Sequence, residues 1–186
     1  MEYIKNYLEK LERLSPIPAG MDPVIKKNLD VKAFIFDIYG TLLISSSGDI
    51  DQAELSVRNF RSALKAANIE LSVNGSQKEE EHLRHMLSDF VNEIKAFLNG
   101  KENRKIKYPE INVLGIWEEV ITNAVRKDWL KVKNNSDIMH MSFVFELLSN
   151  RVYPMPGMKD VIRELQRRGM ILGIVSNSQF YTPLIM

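Results

Sequence analysis

The sequence predicts an α/β fold in which a parallel sheet is interrupted by a long helical insertion. Two segments, 33–38 and 170–175, are short, mostly apolar and rich in branched or aromatic residues, as buried strands are. Apolar residues recur at helical spacing through residues 49–149, and a further helix at 158–168 precedes the second segment. Strand, helix and strand in this order form a crossover that joins parallel strands, with the insertion inside its first connection.

The first residues of the chain predict an amphipathic helix that ends before two prolines. Its apolar positions recur at helical spacing: Tyr3, Ile4, Tyr7, Leu8, Leu11 and Leu14. Pro16 and Pro18 cannot continue the hydrogen bonds of a helix, so the helix stops there. We expect it to pack on the protein's own core.

The composition is that of an ordinary soluble domain. The chain has 186 residues, 45% of them hydrophobic, with a net charge of +1 and no cysteine. The small charge offers no electrostatic attraction to nucleic acid or to an anionic membrane. No apolar run approaches the roughly 20 residues of a membrane span, and without cysteine there is no thiolate site. We therefore expect a cytoplasmic protein that binds neither nucleic acid nor membrane.

The end of the first predicted strand carries the strongest indication of chemistry. Residues 33–43 read AFIFDIYGTLL, so the apolar run stops at Asp37. Gly40 then frees the backbone for a turn, and Thr41 offers a hydroxyl just after it. An aspartate at the carboxyl end of a buried parallel strand lies where open α/β sheets bind their ligands.

The second predicted strand ends in a matching polar segment, Ser176-Asn177-Ser178. Because neighbouring parallel strands end at the same edge of a sheet, we expect Asp37 and Ser176 to face each other. Backbone N–H groups of residues 38–40 and of Asn177 would add hydrogen-bond donors. Such donors hold an anion, either a phosphate or a carboxylate. From the residues alone, the sequence predicts an anion-binding crevice with an ionised aspartate.

The two strand ends together resemble the haloacid dehalogenase superfamily of hydrolases. Residues 33–43 resemble its first motif, and residues 174–178 resemble its second. The resemblance implies a Rossmann-like core with a parallel sheet and an inserted all-α cap that selects the substrate. The chain then divides into 1–44 (the N-terminal helix and first core strand), 45–150 (the helical cap) and 151–186 (the second part of the core).

The same resemblance implies roles for individual residues. It makes Asp37 the catalytic nucleophile, which forms a covalent intermediate with the substrate. It places the other motif residues in contact with a small anionic substrate: Tyr39, Gly40, Thr41, Ser176 and Asn177.

Tyr39 departs from the commonest form of the first motif. The phosphatases that the motif resembles place a second aspartate here, which protonates the leaving alcohol. General acid catalysis contributes about 10²–10⁴ in rate, and an alkoxide leaving group needs it whereas a halide does not. Asp-x-Tyr-Gly-Thr is similar to the dehalogenase branch, in which the carboxylate attacks carbon and water hydrolyses the ester. Dehalogenase-like and phosphatase activities both remain open.

The expected cofactor depends on which of these two reactions the chain catalyses. A dehalogenase-like reaction implies no cofactor. A phosphatase-like reaction implies Mg²⁺, with Asp37 as one of its ligands.

The sequence stops before the third and fourth motifs of the family. It ends ten residues beyond Ser176, whereas the family's motif lysine and its paired acids lie later. We therefore expect an incomplete sheet in a chain that lacks the C-terminal part of the family. An incomplete sheet edge invites pairing, so self-association through it is expected. The alternative to an enzyme is a truncated, non-catalytic protein that acts as an interaction or binding module.

Four further side chains are better explained by packing or solvation than by function. The dehalogenase branch uses a cap arginine for the substrate carboxylate, but neither Arg58 nor Arg61 fits a motif position. His82 and His85 stand three residues apart on a predicted helix, a spacing that can bind metal. We interpret the arginines as a solvated helix face and the histidines as packed or solvated residues.

Overall fold

The computed structural model describes residues 9, 13–18, 20–22, 24, 30–46, 55–73, 75–100 and 110–186. The helix predicted at 3–14 lies largely outside the described residues. The strands are β1 (Ala33–Phe36), β2 (Leu43–Ser45), β3 (Glu70–Leu71), β4 (Leu130–Lys131), β5 (Val152–Pro154) and β6 (Ile171–Ile174). The helices are α1 (Val57–Ala66), α2 (Ser76–Asn99), α3 (Val113–Arg126), α4 (Asn135–Ser149), α5 (Met158–Arg167) and α6 (Thr182–Ile185).

The chain divides into two compact units. The first, here called the sheet unit, comprises Met1–Gln52 and Asn150–Ser178. The second, here called the helical unit, comprises Ala53–Ser149 and Gln179–Met186. The last eight residues therefore group with the helical unit, although the sequence assigned them to the core segment.

Strands β1 and β6 form the predicted parallel pair. Ala33 lies opposite Ile171, and Phe36 lies opposite Ile174. Helix α5 precedes β6 in the chain and contacts it. Each strand is up to two residues shorter than the apolar run that predicted it. The mixed α/β architecture with a small parallel sheet confirms the predicted fold class.

The sheet unit also contains an antiparallel ribbon that the sequence did not predict. Strand β2 pairs with β5, with Leu43 opposite Pro154. The Ser45 hydroxyl donates a hydrogen bond of 2.8 Å to Asn150 Oδ1, which ties the end of the ribbon. Three-residue strands are too short to show alternation, and the prolines near residue 154 indicated only a turn. The ribbon begins directly after the motif that carries Asp37.

The helical unit is built around an aromatic cluster. The Trp117 ring stacks on Phe60 at 5.1 Å and on Phe90 at 4.1 Å between ring centroids. Phe145 meets the same indole edge-on at 5.0 Å. All four side chains are fully buried. They come from α1, α2, α3 and α4, so the cluster joins the four long helices into one core.

The helical unit adds one short pair of strands to the predicted helices. Strands β3 and β4 are antiparallel, with Leu71 opposite Leu130. Strands of only two residues show no periodic pattern, so the sequence indicated helices throughout this region. Among the described helices, none combines the length and the hydropathy needed to cross a bilayer.

Candidate active site

Asp37 follows β1 directly and lies beside the segment that leads to Ser176. The Val175 N–H donates to the Phe36 carbonyl at 2.9 Å, which extends the parallel pairing to the end of both strands. The Asp37 side chain is exposed, whereas Ser176 is half-buried. Both side chains therefore leave the sheet at its carboxyl edge, where ligands of open α/β folds bind.

The carboxylate of Asp37 is held by its own backbone. The Ile38 N–H donates to Asp37 Oδ1 at 2.8 Å. A hydrogen bond to the charged form stabilises a carboxylate as an ion and restricts its rotation. Asp37 Oδ1 is thus held in place, and Asp37 Oδ2 makes no hydrogen bond to a described residue.

The turn after Asp37 is wound around a single carbonyl. The Ile38 carbonyl accepts hydrogen bonds from the N–H groups of Thr41, Leu42 and Leu43 at 3.2, 2.8 and 2.9 Å. Gly40 has a φ of 78°, a value that costs a side-chain-bearing residue energy, and its N–H donates to the Leu43 carbonyl. Buried side chains of Ile38, Leu42 and Leu43 anchor the turn in the sheet unit. The glycine in the motif is thereby explained.

This winding changes the set of donors available to an anion. The N–H groups of Ile38 and Gly40 donate within the chain, to Asp37 Oδ1 and the Leu43 carbonyl. They do not form the free N–H ring that the sequence predicted. In the described part of the chain, the Thr41 and Ser176 hydroxyls and the Asn177 amide make no hydrogen bond, so these groups remain as donors.

Tyr39 stands at the position where this sequence differs from the commonest form of the family motif. It is half-buried and forms an isolated bridge with Leu43. A tyrosine presents a phenol hydroxyl where the phosphatases place a carboxylic acid. The structure therefore puts a hydroxyl-bearing ring, and no second carboxylate, two residues after Asp37.

The described residues offer few protein ligands for a magnesium ion at this edge of the sheet. Among them, no group of three or more histidine, aspartate or glutamate side chains lies close enough to hold a metal ion. Mg²⁺ takes octahedral oxygen ligands, commonly one or two carboxylates with waters and substrate phosphates. Asp37 supplies one carboxylate at this edge, and its Oδ1 is already bound to the Ile38 N–H.

Two of the side chains that the sequence set aside, Arg61 and His82, have structural partners. Arg61 forms an ion pair with Glu79, which joins α1 to α2. The His82 ring stacks on Trp129 at 4.2 Å between centroids, and Lys127 Nζ lies 4.6 Å from the same indole ring. His82 thus packs against the aromatic ring that precedes β4 in the helical unit.

The structure draws attention to one acidic residue that the sequence analysis did not single out. Glu146 lies on α4 in an otherwise apolar run and is 8% exposed. Burial raises the pKa of its carboxyl to about 7, and the nearby Trp117 indole partly opposes that rise. The signal was visible in the segment MSFVFELL, where a glutamate stands among residues of a buried helix.

A comparison with protein families identifies the chain. An exposed aspartate at the carboxyl edge of a parallel pair is typical of α/β proteins that bind ligands at that edge. A model of the haloacid dehalogenase-like hydrolases matches residues 31–183. The chain belongs to this family, which confirms the resemblance of its motifs, and hydrolysis is the family's general function. Neither the curated proteins nor the solved structures contained a match.

Proposed function

We propose that the chain hydrolyses a small anionic substrate with Asp37 as its nucleophile. The observation that supports this most is the position of Asp37, exposed at the carboxyl edge of β1 and β6 with one oxygen tied by the Ile38 N–H. The free oxygen attacks carbon or phosphorus, and the leaving group departs with the electrons of the broken bond. Water then cleaves the aspartyl ester or aspartyl phosphate and regenerates the carboxylate.

The remaining donors of the turn suit an anionic substrate. The hydroxyls of Thr41 and Ser176 and the amide of Asn177 supply neutral hydrogen-bond donors around the carboxylate. Gly40 shapes the turn, and Tyr39 adds an aromatic ring beside it. The helical unit is proposed as the cap that selects the substrate.

The dehalogenase-like and phosphatase-like reactions differ in the leaving group that must depart. A halide departs as a stable anion, so a dehalogenase-like reaction needs no acid at the position of Tyr39. A phosphatase-like reaction needs a proton donor for the alkoxide, worth about 10²–10⁴ in rate. It would also imply Mg²⁺, for which the described residues offer only the Asp37 carboxylate. The tyrosine therefore favours the dehalogenase-like alternative.

The experiment compares wild type with Asp37→Asn. Halide release from a short 2-haloalkanoate and phosphate release from an aryl phosphate are measured in parallel. We expect Asp37→Asn to lose activity by at least about 10³-fold, because an amide is a poor nucleophile in place of a carboxylate. Asp160→Asn, at an exposed position in the first turn of α5, is the matched control and should retain activity.

Each outcome of this comparison decides a separate point. Equal activity in wild type and Asp37→Asn would remove the nucleophile assignment. Phosphate release without halide release would overturn the interpretation of Tyr39. No activity in the wild-type chain on either substrate would reject catalysis by this chain and favour a second function.

That second function is a non-catalytic interaction module, and one surface favours it. One face of the β1–β6 pair is apolar and exposed: Ile35 is 72% exposed, and Ile171 and Val175 are each 69% exposed. The register places Ile35 opposite Gly173 and Ile171 opposite Ala33, so these residues share that face. Parallel sheets are normally covered on both faces, and we propose a second copy of this chain as the cover.

Sedimentation as a function of protein concentration tests the second function. We expect the wild-type chain to self-associate and Ile171→Thr, which keeps the β-branched shape, to weaken that association. Val161→Thr, at an exposed position of α5, is the control. A wild-type chain that stays monomeric at high concentration would reject self-association.

A further inference from the structure

Helix α4 is enclosed on nearly all sides in its second half. The five residues from Met141 to Phe145 are fully buried, and Leu147 is 1% exposed. Glu146 stands in the middle of this run. A carboxylate placed here loses the water that would solvate its charge, which is costly unless an opposite charge replaces it.

Two other polar atoms lie in the same interior without a partner. The indole Nε1 of Trp117 and the hydroxyl of Ser142 are buried and make no hydrogen bond to any described residue. Ser142 precedes Glu146 by one helical turn, so the two share a face of α4. The Trp117 ring lies among phenylalanines, and its indole is near enough to the Glu146 carboxyl to affect that group's pKa.

The helices around α4 turn apolar sides toward it. The buried residues of α1 are Phe60, Ala63 and Leu64. Those of α3 are Val113, Trp117, Val120, Ile121 and Ala124. Helix α2 approaches α4 through the ring of Phe90. The charged residues of α1 and α3 lie elsewhere: Arg58, Lys65, Glu118, Glu119 and Arg126 are exposed, and Arg61 pairs with Glu79. On α2, Asp89 is half-buried and Glu93 and Lys95 are exposed.

The titratable groups of α4 itself are also distant from Glu146. Asp137 accepts a hydrogen bond from the Asn134 N–H at the start of the helix. His140 lies six residues before Glu146, and burial lowers the pKa of its imidazole. Segment 179–186, which groups with the helical unit, contains no charged side chain. Among the described residues, the Trp117 indole is the only side chain that affects the Glu146 carboxyl, and no described cation does so.

We propose that Glu146 is a proton-controlled switch in the helical unit, with α4 packed fully around the protonated carboxyl and loosened when that proton leaves to solvent. The neutral acid has one O–H donor and one carbonyl acceptor, which match the Ser142 hydroxyl and the Trp117 N–H. The carboxylate has neither bulk water nor a described cation to balance its charge and is drawn toward solvent, so the packing around it opens. Burial raises the pKa of the Glu146 carboxyl to about 7, so the carboxyl gains or loses its proton within the physiological pH range. The inference does not depend on catalysis.

Trp117 is a built-in reporter of the switch. The chain has two tryptophans, so Trp129→Phe leaves Trp117 as the only tryptophan, excited selectively at long wavelength, and keeps an aromatic ring against His82. Acrylamide quenching of this fluorescence is followed between pH 5 and 9. We expect quenching to rise with a midpoint near pH 7. Adding Glu146→Gln, which mimics the neutral acid, should keep quenching at its low-pH level throughout.

The controls separate Glu146 from its titrating neighbours. Glu118→Gln, an exposed acid adjacent to Trp117 in the chain, should leave the transition unchanged. If His140→Gln abolishes the transition while Glu146→Gln preserves it, the proposal is overturned.

A measurement on the unsubstituted chain covers the case in which Glu146→Gln does not fold. Glutamate labelled with ¹³C at its carboxyl shows each titration directly by NMR. One resonance must titrate near pH 7; if all titrate in the ordinary range around 4.3, the switch does not exist.

Discussion

Apolar segments of the helical unit and of the parallel strand pair have opposite environments in this protein. The run SFVFELL of α4 is buried on nearly all sides, whereas AFIF of β1 and ILGI of β6 expose every second or third residue. Ile35 is as apolar as Phe143, yet the first is largely exposed and the second is fully buried. Apolar composition therefore predicted burial correctly for the helix and incorrectly for much of the parallel strand pair.

The two units differ in how completely their described residues cover the apolar surfaces of the unit. The helical unit closes its own interior, because four helices contribute one aromatic ring each to a single cluster. The sheet unit has a parallel pair of two strands, and such pairs need layers on both faces. We infer that the helical unit carries most of the packing stability and that the sheet unit carries the chemistry.

The largest predicted effect concerns the aromatic cluster. Trp117→Ala should destabilise the protein by about 3–5 kcal/mol, because it leaves a large cavity between Phe60 and Phe90 that the helices cannot fill. Urea unfolding followed by circular dichroism measures it. Trp129→Ala, at a half-buried tryptophan, is the control and should cost less. Equal losses would show that the cluster is not the centre of stability.

The second prediction concerns the pH dependence of stability through Glu146. Its pKa is about 7 in the folded protein against 4.5 ordinarily, so the folded state holds the proton more tightly. The resulting stabilisation is fully present below pH 4.5 and is lost as the pH rises toward 7. A shift of this size corresponds to about 3 kcal/mol.

Unfolding free energies at pH 4.5, 6 and 8 for wild type and Glu146→Gln measure this effect. The difference between the two proteins should shift in favour of the glutamine variant as the pH rises. Parallel curves for the two proteins would mean that the carboxyl titrates as an ordinary surface acid.

The smallest predicted effect is on the exposed face of the sheet. Ile35→Thr and Ile171→Thr should change the stability of the monomeric chain by no more than about 0.5 kcal/mol, since little apolar surface leaves water there on folding. Chemical unfolding at low protein concentration is the measurement. A loss of 2 kcal/mol or more would show that this face is covered in solution and would remove the contrast with α4.

Much of the fold was predictable because long elements repeat their pattern. The parallel pair of β1 and β6 followed from two apolar runs, and the helices of the insertion from stripes at helical spacing. The β2–β5 ribbon and the β3–β4 pair were not predicted, because two or three residues are stabilised by partners distant in the chain. The helix at 3–14 stays a prediction.

The candidate site was predictable in position but not in detail. Asp37 and Ser176 were located by the ends of the strands, and the structure puts them at one edge of the sheet. Sequence spacing could not show that the N–H groups of Ile38 and Gly40 are used within the turn. Their roles in catalysis and binding, like that of Tyr39, stay predictions.

By itself, the sequence determined the family, the order of the main elements and the residue on which the proposed chemistry depends. These properties reside in local patterns: a motif of a few residues, the period of a helix, an apolar run that stops at an acid. The tertiary structure alone decided which apolar faces are covered, where the donors of the turn point and that Glu146 is enclosed. Burial and hydrogen-bond pairing depend on residues distant in the chain, and desolvation by those residues sets the pKa of a buried acid.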